Sequence, residues 1–210
     1  YYLSNKTDNL YFTLLGDASS EKVKDVSYDE AVVQAGLDKV NELNNKYGKK
    51  IFYFVYRNRF FSESENCFLG YERKRGALLH FNSLLLNKLT DEQKEQYFRC
   101  NTFDEFDIKI KYVITLDADT KILLNSATKL IGNMIHPMNK PVLSKDGMSV
   151  VKGYAIMQPK INIDVEVTNK SEYSQLFGGL GGLDSYATRG FDLYQDVFNE
   201  GSFVGKGIYD

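Results

Sequence analysis

The sequence predicts an α/β fold: a mixed, mostly parallel sheet flanked by helices. Three observations predict it. Short apolar, β-rich runs alternate along the chain with segments whose apolar residues recur at helical spacing. The runs Ile51–Tyr56 and Tyr112–Leu116 carry no charge, which suits strands buried on both faces. Carboxylates arrive where two of the runs end, Asp17 after the first and Asp117 with Asp119 after a later one, and open α/β sheets bind ligands at the carboxyl ends of their strands.

Taken in order, Leu10 to Leu15 alternates as a strand does, and Gly16-Asp17-Ala18-Ser19-Ser20 reads as the loop after it. Ser27 and Glu30 have capping-box spacing; Val33, Leu37, Val40 and Leu43 then mark a helix that Tyr47-Gly48 stops. Ile51 to Tyr56 is the second strand. From Arg57 to Gly76 the chain reads as a polar loop with two basic groups, Arg57/Arg59 and Arg73/Lys74/Arg75. Leu78, Phe81, Leu85 and Leu89 share one helical face, so a helix beginning near Gly76 carries the second basic group at its N-terminus, against the macrodipole. That placement suits an anionic partner such as phosphate, with a surface cluster whose stems are buried as the alternative.

Thr90 and Gln93 cap a short helix, and Ile108 to Lys111 leads into the Tyr112–Leu116 strand. Leu124, Ala127, Leu130, Ile131, Met134 and Ile135 form an amphipathic helix ended by His136-Pro137, with His136 a helix-end residue. Val150 to Met157 reads as a further strand. Beyond Ser171 periodicity fades into a glycine-rich stretch in which no G-x-G-x-x-G follows a strand, so a dinucleotide fingerprint is unsupported.

The 210 residues are enough for one sizeable core, and no linker or repeat divides them, which predicts one domain over 1–210. A net charge of -2 gives no basic footprint for nucleic acid. No run approaches the roughly 20 apolar residues of a membrane span, so the chain is expected to be soluble. Cys67 and Cys100 have neither metal-site nor redox spacing and are expected to be reduced thiols. A start at Tyr1 and a stop just after Gly205-Lys206-Gly207 suggest a piece of something longer.

In an extended chain Asp117 and Asp119 would face the same side with the small Ala118 between them, a pair suited to a hard divalent cation that in turn holds a diphosphate. The plainer alternative is two solvated acids capping the next helix. A dehalogenase-like phosphatase also places Asp-x-Asp after an apolar strand, but wants Thr or Val where this chain has Lys121.

Longer segments are more specific. Leu15-Gly16-Asp17, the stretch Gly70 to Gly76, Asn82, Tyr112 to Thr120, Leu130 to Asn139, Gly153 to Pro159 and Tyr194 to Asp210 together resemble, nearly end to end, the glycosyltransferase family 84 region of cyclic β-1,2-glucan synthases, of GT-A fold. The resemblance implies a GT-A glycosyltransferase domain incomplete at both ends, with its first strand upstream of Tyr1 and its general base beyond Asp210. It implies inverting transfer of glucose from UDP-glucose to the 2-hydroxyl of a growing β-1,2-glucan with Mg²⁺ or Mn²⁺. In that frame Asp117 and Asp119 are the catalytic metal ligands, Asp17 binds uridine or ribose, and Lys74 and Arg75 offset phosphate charge. Tyr194, Gln195, Asp196 and Lys206 lie on the acceptor side, with core packing and loop capping as the alternative for Tyr194 and Asp196. The rest of such a protein would be a large synthase at the cytoplasmic face of the bacterial inner membrane. A non-catalytic carbohydrate-binding module of the same fold is the main alternative, and it would tolerate loss of the two aspartates.

Overall fold

A computed structural model describes residues 1–103, 108–159, 171–172, 197–198, 203 and 205–210. They gather into two compact units, one of Thr7–Ile110 and one of Tyr1–Lys6 with Lys111–Asp210. The architecture is mixed α/β, and no helix among the described residues is long and apolar enough to cross a membrane.

In the Thr7–Ile110 unit the elements run β1 (Phe12–Asp17), α1 (Asp29–Tyr47), β2 (Phe52–Arg57), β3 (Phe60–Ser62), β4 (Cys67–Leu69), α2 (Arg73–Leu85), α3 (Asp91–Tyr97) and β5 (Phe98–Asn101). The sheet has the order β1-β2-β5, with β1 and β2 parallel from Phe12 opposite Phe52 to Asp17 opposite Arg57. As its uncharged run predicts, β2 is buried on both faces. Tyr53 and Val55 join Phe81, Leu84, Phe98 and Phe103, while Phe54 and Tyr56 pack with Ala18 against Val33 and Val40 of α1. Gly36 lets α1 approach, since a Cβ there would stand 2.3 Å from the Phe54 ring.

Several local expectations hold. Gly48 ends α1 in the left-handed region at φ 62°, its N–H reaching the carbonyls of Asn44 and Asn45. Thr90 and Gln93 form the reciprocal capping box of α3. Others change. The stretch read as a polar loop contains the β3–β4 hairpin, because Phe60-Phe61 and Phe68-Leu69 pair across a turn through Asn66 at φ 48°. The helix expected near Gly76 begins at Arg73.

Ser27 does not cap α1. Asp29 is drawn inward instead: it is wholly buried, accepts the Val26 N–H at 3.3 Å and takes Arg59 on both oxygens at 2.5 and 2.9 Å. Arg99 adds a contact to Asp29 at 2.8 Å and a second to Asp25. Arg59 also donates to Ser19 O at 2.6 Å and Lys24 O at 3.2 Å, so one buried guanidinium ties the loop after β1 to the start of α1.

In the other unit, β6 (Val113–Thr115) precedes α4 (Ser126–Ile135), β7 (Val142–Leu143), β8 (Val150–Lys152), β9 (Ile156–Met157) and β10 (Gly207–Tyr209). The sheet order is β6-β10-β9, both pairings antiparallel, with Ile208 buried against Leu130 and Met134 of α4. The helix ends where predicted but begins at Ser126, so Leu124 lies before it and is exposed; His136 sits at its end in extended backbone with its Nδ1 accepting the Met138 N–H. Its start is held from far away: buried Asn5 accepts the Ala127 N–H at 2.9 Å and donates to Leu123 O at 3.1 Å. The strand expected from Val150 to Met157 is two strands, broken at Gly153, whose φ of 75° and close approach to the Lys140 carbonyl leave no space for a Cβ.

Of the strand pairings among the described residues only β1–β2 is parallel; β2–β5, β3–β4, β6–β10, β9–β10 and β7–β8 are antiparallel. The prediction of a mostly parallel sheet therefore gives way to a mixed one. The parallel pair is the one joined through a long helix, and β3 and β4 are joined by a turn too short for any parallel crossover.

Arg59 holds the Asp29 carboxyl below its ordinary value of 3.8, outweighing the opposing effect of burial. A carboxyl depressed on folding contributes stability that is complete above its unfolded pKa and is lost as pH falls through the folded one. Asp29→Ala is accordingly expected to remove about 3–5 kcal/mol at neutral pH. Urea unfolding should show that difference at pH 7, shrinking below pH ~4.

Candidate functional site

The carboxylate at the end of β1 is positioned by the residue opposite it in the parallel register. Arg57, with no side-chain exposure, donates from Nε to Asp17 Oδ1 at 2.5 Å and from Nη2 to Oδ2 at 2.8 Å, while the Asp17 side chain stays 30% exposed. The remaining donors hold the entry to α2. Nη1 reaches Tyr71 O at 3.2 Å, and Nη2 reaches Arg73 O at 2.9 Å.

These bonds restrain a backbone that needs restraint. Glu72 and Arg73 have φ of 49° and 48°, left-handed conformations that cost roughly 1–3 kcal/mol each for such residues. Gly70 permits the approach, because a Cβ there would lie 2.6 Å from Asp17 Oδ2 and 2.9 Å from Arg57 Nη2. His80 completes the group with Nδ1 3.2 Å from Arg57 Nη1, its ring stacked on Tyr97 at 4.0 Å between centroids. Burial, then the Arg57 charge, pushes the His80 pKa below 6.5. The neutral ring leaves Nδ1 free to accept from the guanidinium.

Lys74 and Arg75 stand exposed in the first turn of α2. Arg73 pairs with Glu65 at 2.6 Å and Arg75 with Glu72 at 2.7 Å. The opposition between cations and helix dipole is thus offset in part by the chain's own carboxylates. Beside them the hairpin and the start of α2 enclose a half-open groove of about 380 Å³, apolar along Phe60, Phe61, Leu69 and Tyr71 and charged at Glu65 and Arg73.

In the other unit β6 ends at Thr115, and the chain turns at Asp117–Thr120 with the Thr120 N–H on Asp117 O at 3.1 Å. Strand alternation therefore stops before the aspartates and does not carry Asp119 to the same side as Asp117. Asp119 is exposed, whereas Asp117 is half-buried and takes the Lys206 ammonium on Oδ2 at 2.7 Å. Lys206 is brought there by β10. Gly207 lies opposite Thr115, and the Thr115 hydroxyl donates to Gly205 O at 3.2 Å, with Gly207 O at 3.5 Å. Tyr1 closes the far side of the turn through its hydroxyl on Thr120 O at 2.5 Å.

Asp117 and Asp119 offer carboxylate oxygens of the kind a hard divalent cation takes, and of the two Asp117 is occupied by the Lys206 ammonium. Among the described residues no group of three or more His, Cys, Asp or Glu side chains gathers as a closed metal site. An ion held here would complete its shell with water and ligand oxygens, as magnesium does beside phosphates.

Lys206, placed on the acceptor side by resemblance, thus lies against the predicted metal ligand. Tyr194, Gln195 and Asp196 lie outside the described residues. Arg57 and His80 were not predicted as site residues. The signal for Arg57 was its place: it follows the uncharged β2 run directly, as Asp17 ends β1, and parallel register puts such residues side by side.

No protein-family model matches the chain. Over its whole length it is 34% identical, across 213 aligned residues, to the cyclic beta-(1,2)-glucan synthase NdvB of Rhizobium meliloti (strain 1021), and it spans 7% of that protein. The resemblance to cyclic β-1,2-glucan synthases drawn from the motifs therefore holds from end to end as similarity to one segment of a much longer synthase.

Two outcomes are expected. The His80 ring should titrate below 6.5 when followed by NMR. Because a depressed histidine pKa means that the unfolded chain binds protons more readily, its contribution to stability should be present above that value and fade as pH falls through the folded pKa. Asp17→Ala should cost about 3–5 kcal/mol in urea unfolding, since it strands the wholly buried Arg57 guanidinium that restrains the strained backbone at Glu72 and Arg73.

Proposed function

We propose that the chain is part of a glycosyltransferase of GT-A fold that passes glucose from UDP-glucose to a growing β-1,2-glucan with inversion. The observation that carries this reading is the turn after β6, which presents the exposed Asp119 carboxylate two residues after Asp117, whose own carboxylate is held by the Lys206 ammonium. The 34% identity to a segment of a cyclic beta-(1,2)-glucan synthase supports a glucan as the product.

Cleaving the bond between glucose and a nucleoside diphosphate leaves negative charge on the departing diphosphate, and fixed cations there lower the barrier. Bound Mg²⁺ or Mn²⁺ would supply Lewis-acid neutralisation of that charge, held by Asp119 with Asp117. The protein's own residues do the rest. Asp17, its carboxylate oriented by Arg57 from below, keeps an exposed edge to accept hydrogen bonds from uridine or ribose. Lys74 and Arg75 present positive charge in the first turn of α2, where backbone N–H groups also favour anions. Tyr194, Gln195 and Asp196 are assigned to the acceptor glucan, aromatic and amide groups being suited to stacking on sugar and bonding its hydroxyls. The acceptor's proton needs a carboxylate base, which the resemblance puts beyond Asp210.

Calorimetric titration of UDP-glucose with and without Mn²⁺ tests the reading. Binding should need the metal and weaken at least about tenfold in Asp119→Ala, a loss of one charge-assisted ligand. Sugar binding indifferent to both metal and Asp119 would point instead to a non-catalytic carbohydrate module.

A further inference from the structure

We propose that Lys206 is a donor-side switch residue: while the site is empty of donor its ammonium occupies Asp117, leaving Asp119 as the standing metal carboxylate, and on donor binding it turns to the diphosphate and frees Asp117 to join Asp119. The inference rests on the metal and donor reading of Asp117 and Asp119 given above.

Geometry separates the fixed from the movable part of Lys206. Its backbone is pinned on both sides. Gly207 pairs with Thr115, the Thr115 hydroxyl holds the Gly205 carbonyl at 3.2 Å, and Gly205 turns the chain in the left-handed region at φ 78°. A Cβ at Gly207 would stand 2.4 Å from Met157 O, so the strand packs too closely for Lys206 to be displaced along it. What can move is the four-carbon stem, which carries a compact point charge able to exchange one oxygen partner for another.

Electrostatics gives the exchange a direction. The Lys206 side chain is 15% exposed and its partner Asp117 34%, so the pair is screened less than a surface ion pair. An ammonium at 2.7 Å from Asp117 Oδ2 and a divalent ion on the same carboxylate repel one another. Metal alone must therefore compete with Lys206 for Asp117. When a diphosphate arrives with the metal, its oxygens offer the ammonium a second anionic partner and the competition is relieved. The same residue thus opposes bare metal and favours metal with nucleotide.

Opposite effects of one substitution are the signature. Free Mn²⁺ is followed by its EPR signal, and UDP binding at saturating Mn²⁺ by calorimetry, on the wild-type chain and on Lys206→Met, with Lys206→Gln as a second neutral variant and circular dichroism as the check on folding. Both variants are expected to bind Mn²⁺ alone about fivefold or more tightly and UDP with Mn²⁺ about fivefold or more weakly, the range of an ordinary coupling between two sites. Lys206→Arg, which keeps the charge, should stay near wild type for Mn²⁺. Neutral variants that bind both ligands less well, or both unchanged, overturn the proposal and return Lys206 to the acceptor side. A wild-type chain that binds UDP with Mn²⁺ while the variants lose only Mn²⁺ affinity also overturns it. If the wild type binds neither ligand, the donor reading itself falls and this inference with it.

Discussion

A charge taken out of water must meet an opposite charge, and much of this chain is arranged around three cations for which that holds. Arg57 is wholly enclosed and meets Asp17, Arg59 meets Asp29, and Lys206, with little exposure, meets Asp117. Such pairs need not add much net stability, but removing the carboxylate strands the enclosed cation at a cost of several kcal/mol. They therefore act as registers. Arg57 sets where the entry to α2 lies, and Arg59 sets where α1 starts.

The pairs differ in how much freedom they leave, and that difference bears on function. Arg57 spends its donors on two carboxylate oxygens, two carbonyls and His80, so it cannot leave Asp17 without unmaking the segment around it. Asp17 is thereby a rigid acceptor with one open edge. Lys206 has a pinned backbone and a flexible stem, and its partner lies beside an exposed Asp119. Rigidity suits recognition of a fixed part of a donor, and a mobile cation suits a charge that appears and departs.

What the sequence shows of this arrangement follows the range of the forces involved. β2, Gly48, the Thr90–Gln93 box and α4 are legible because periodicity, a left-handed stop and a reciprocal cap are local. The Ser27 cap fails because Asp29, two residues on, is claimed by arginines far along the chain. The β3–β4 hairpin hides because its aromatic pairs are short and surrounded by charge, and β5 hides because its partner β2 supplies the burial. In the site, Asp17, Asp117 and Asp119 stand out as acids after apolar runs. Arg57 reads as surface charge until its register partner is known, and the meeting of Lys206 with Asp117 depends on a β6–β10 pairing that no local pattern announces.

The central claim is that the turn after β6 holds the metal of a nucleotide-sugar site. A crystal of the chain grown with UDP-glucose and Mn²⁺, measured at the manganese edge, tests it most directly. An anomalous peak beside the Asp119 carboxylate that also touches the diphosphate is the predicted result. A bound nucleotide whose diphosphate lies away from Asp117 and Asp119, or a manganese peak at some other group of oxygens, would contradict it.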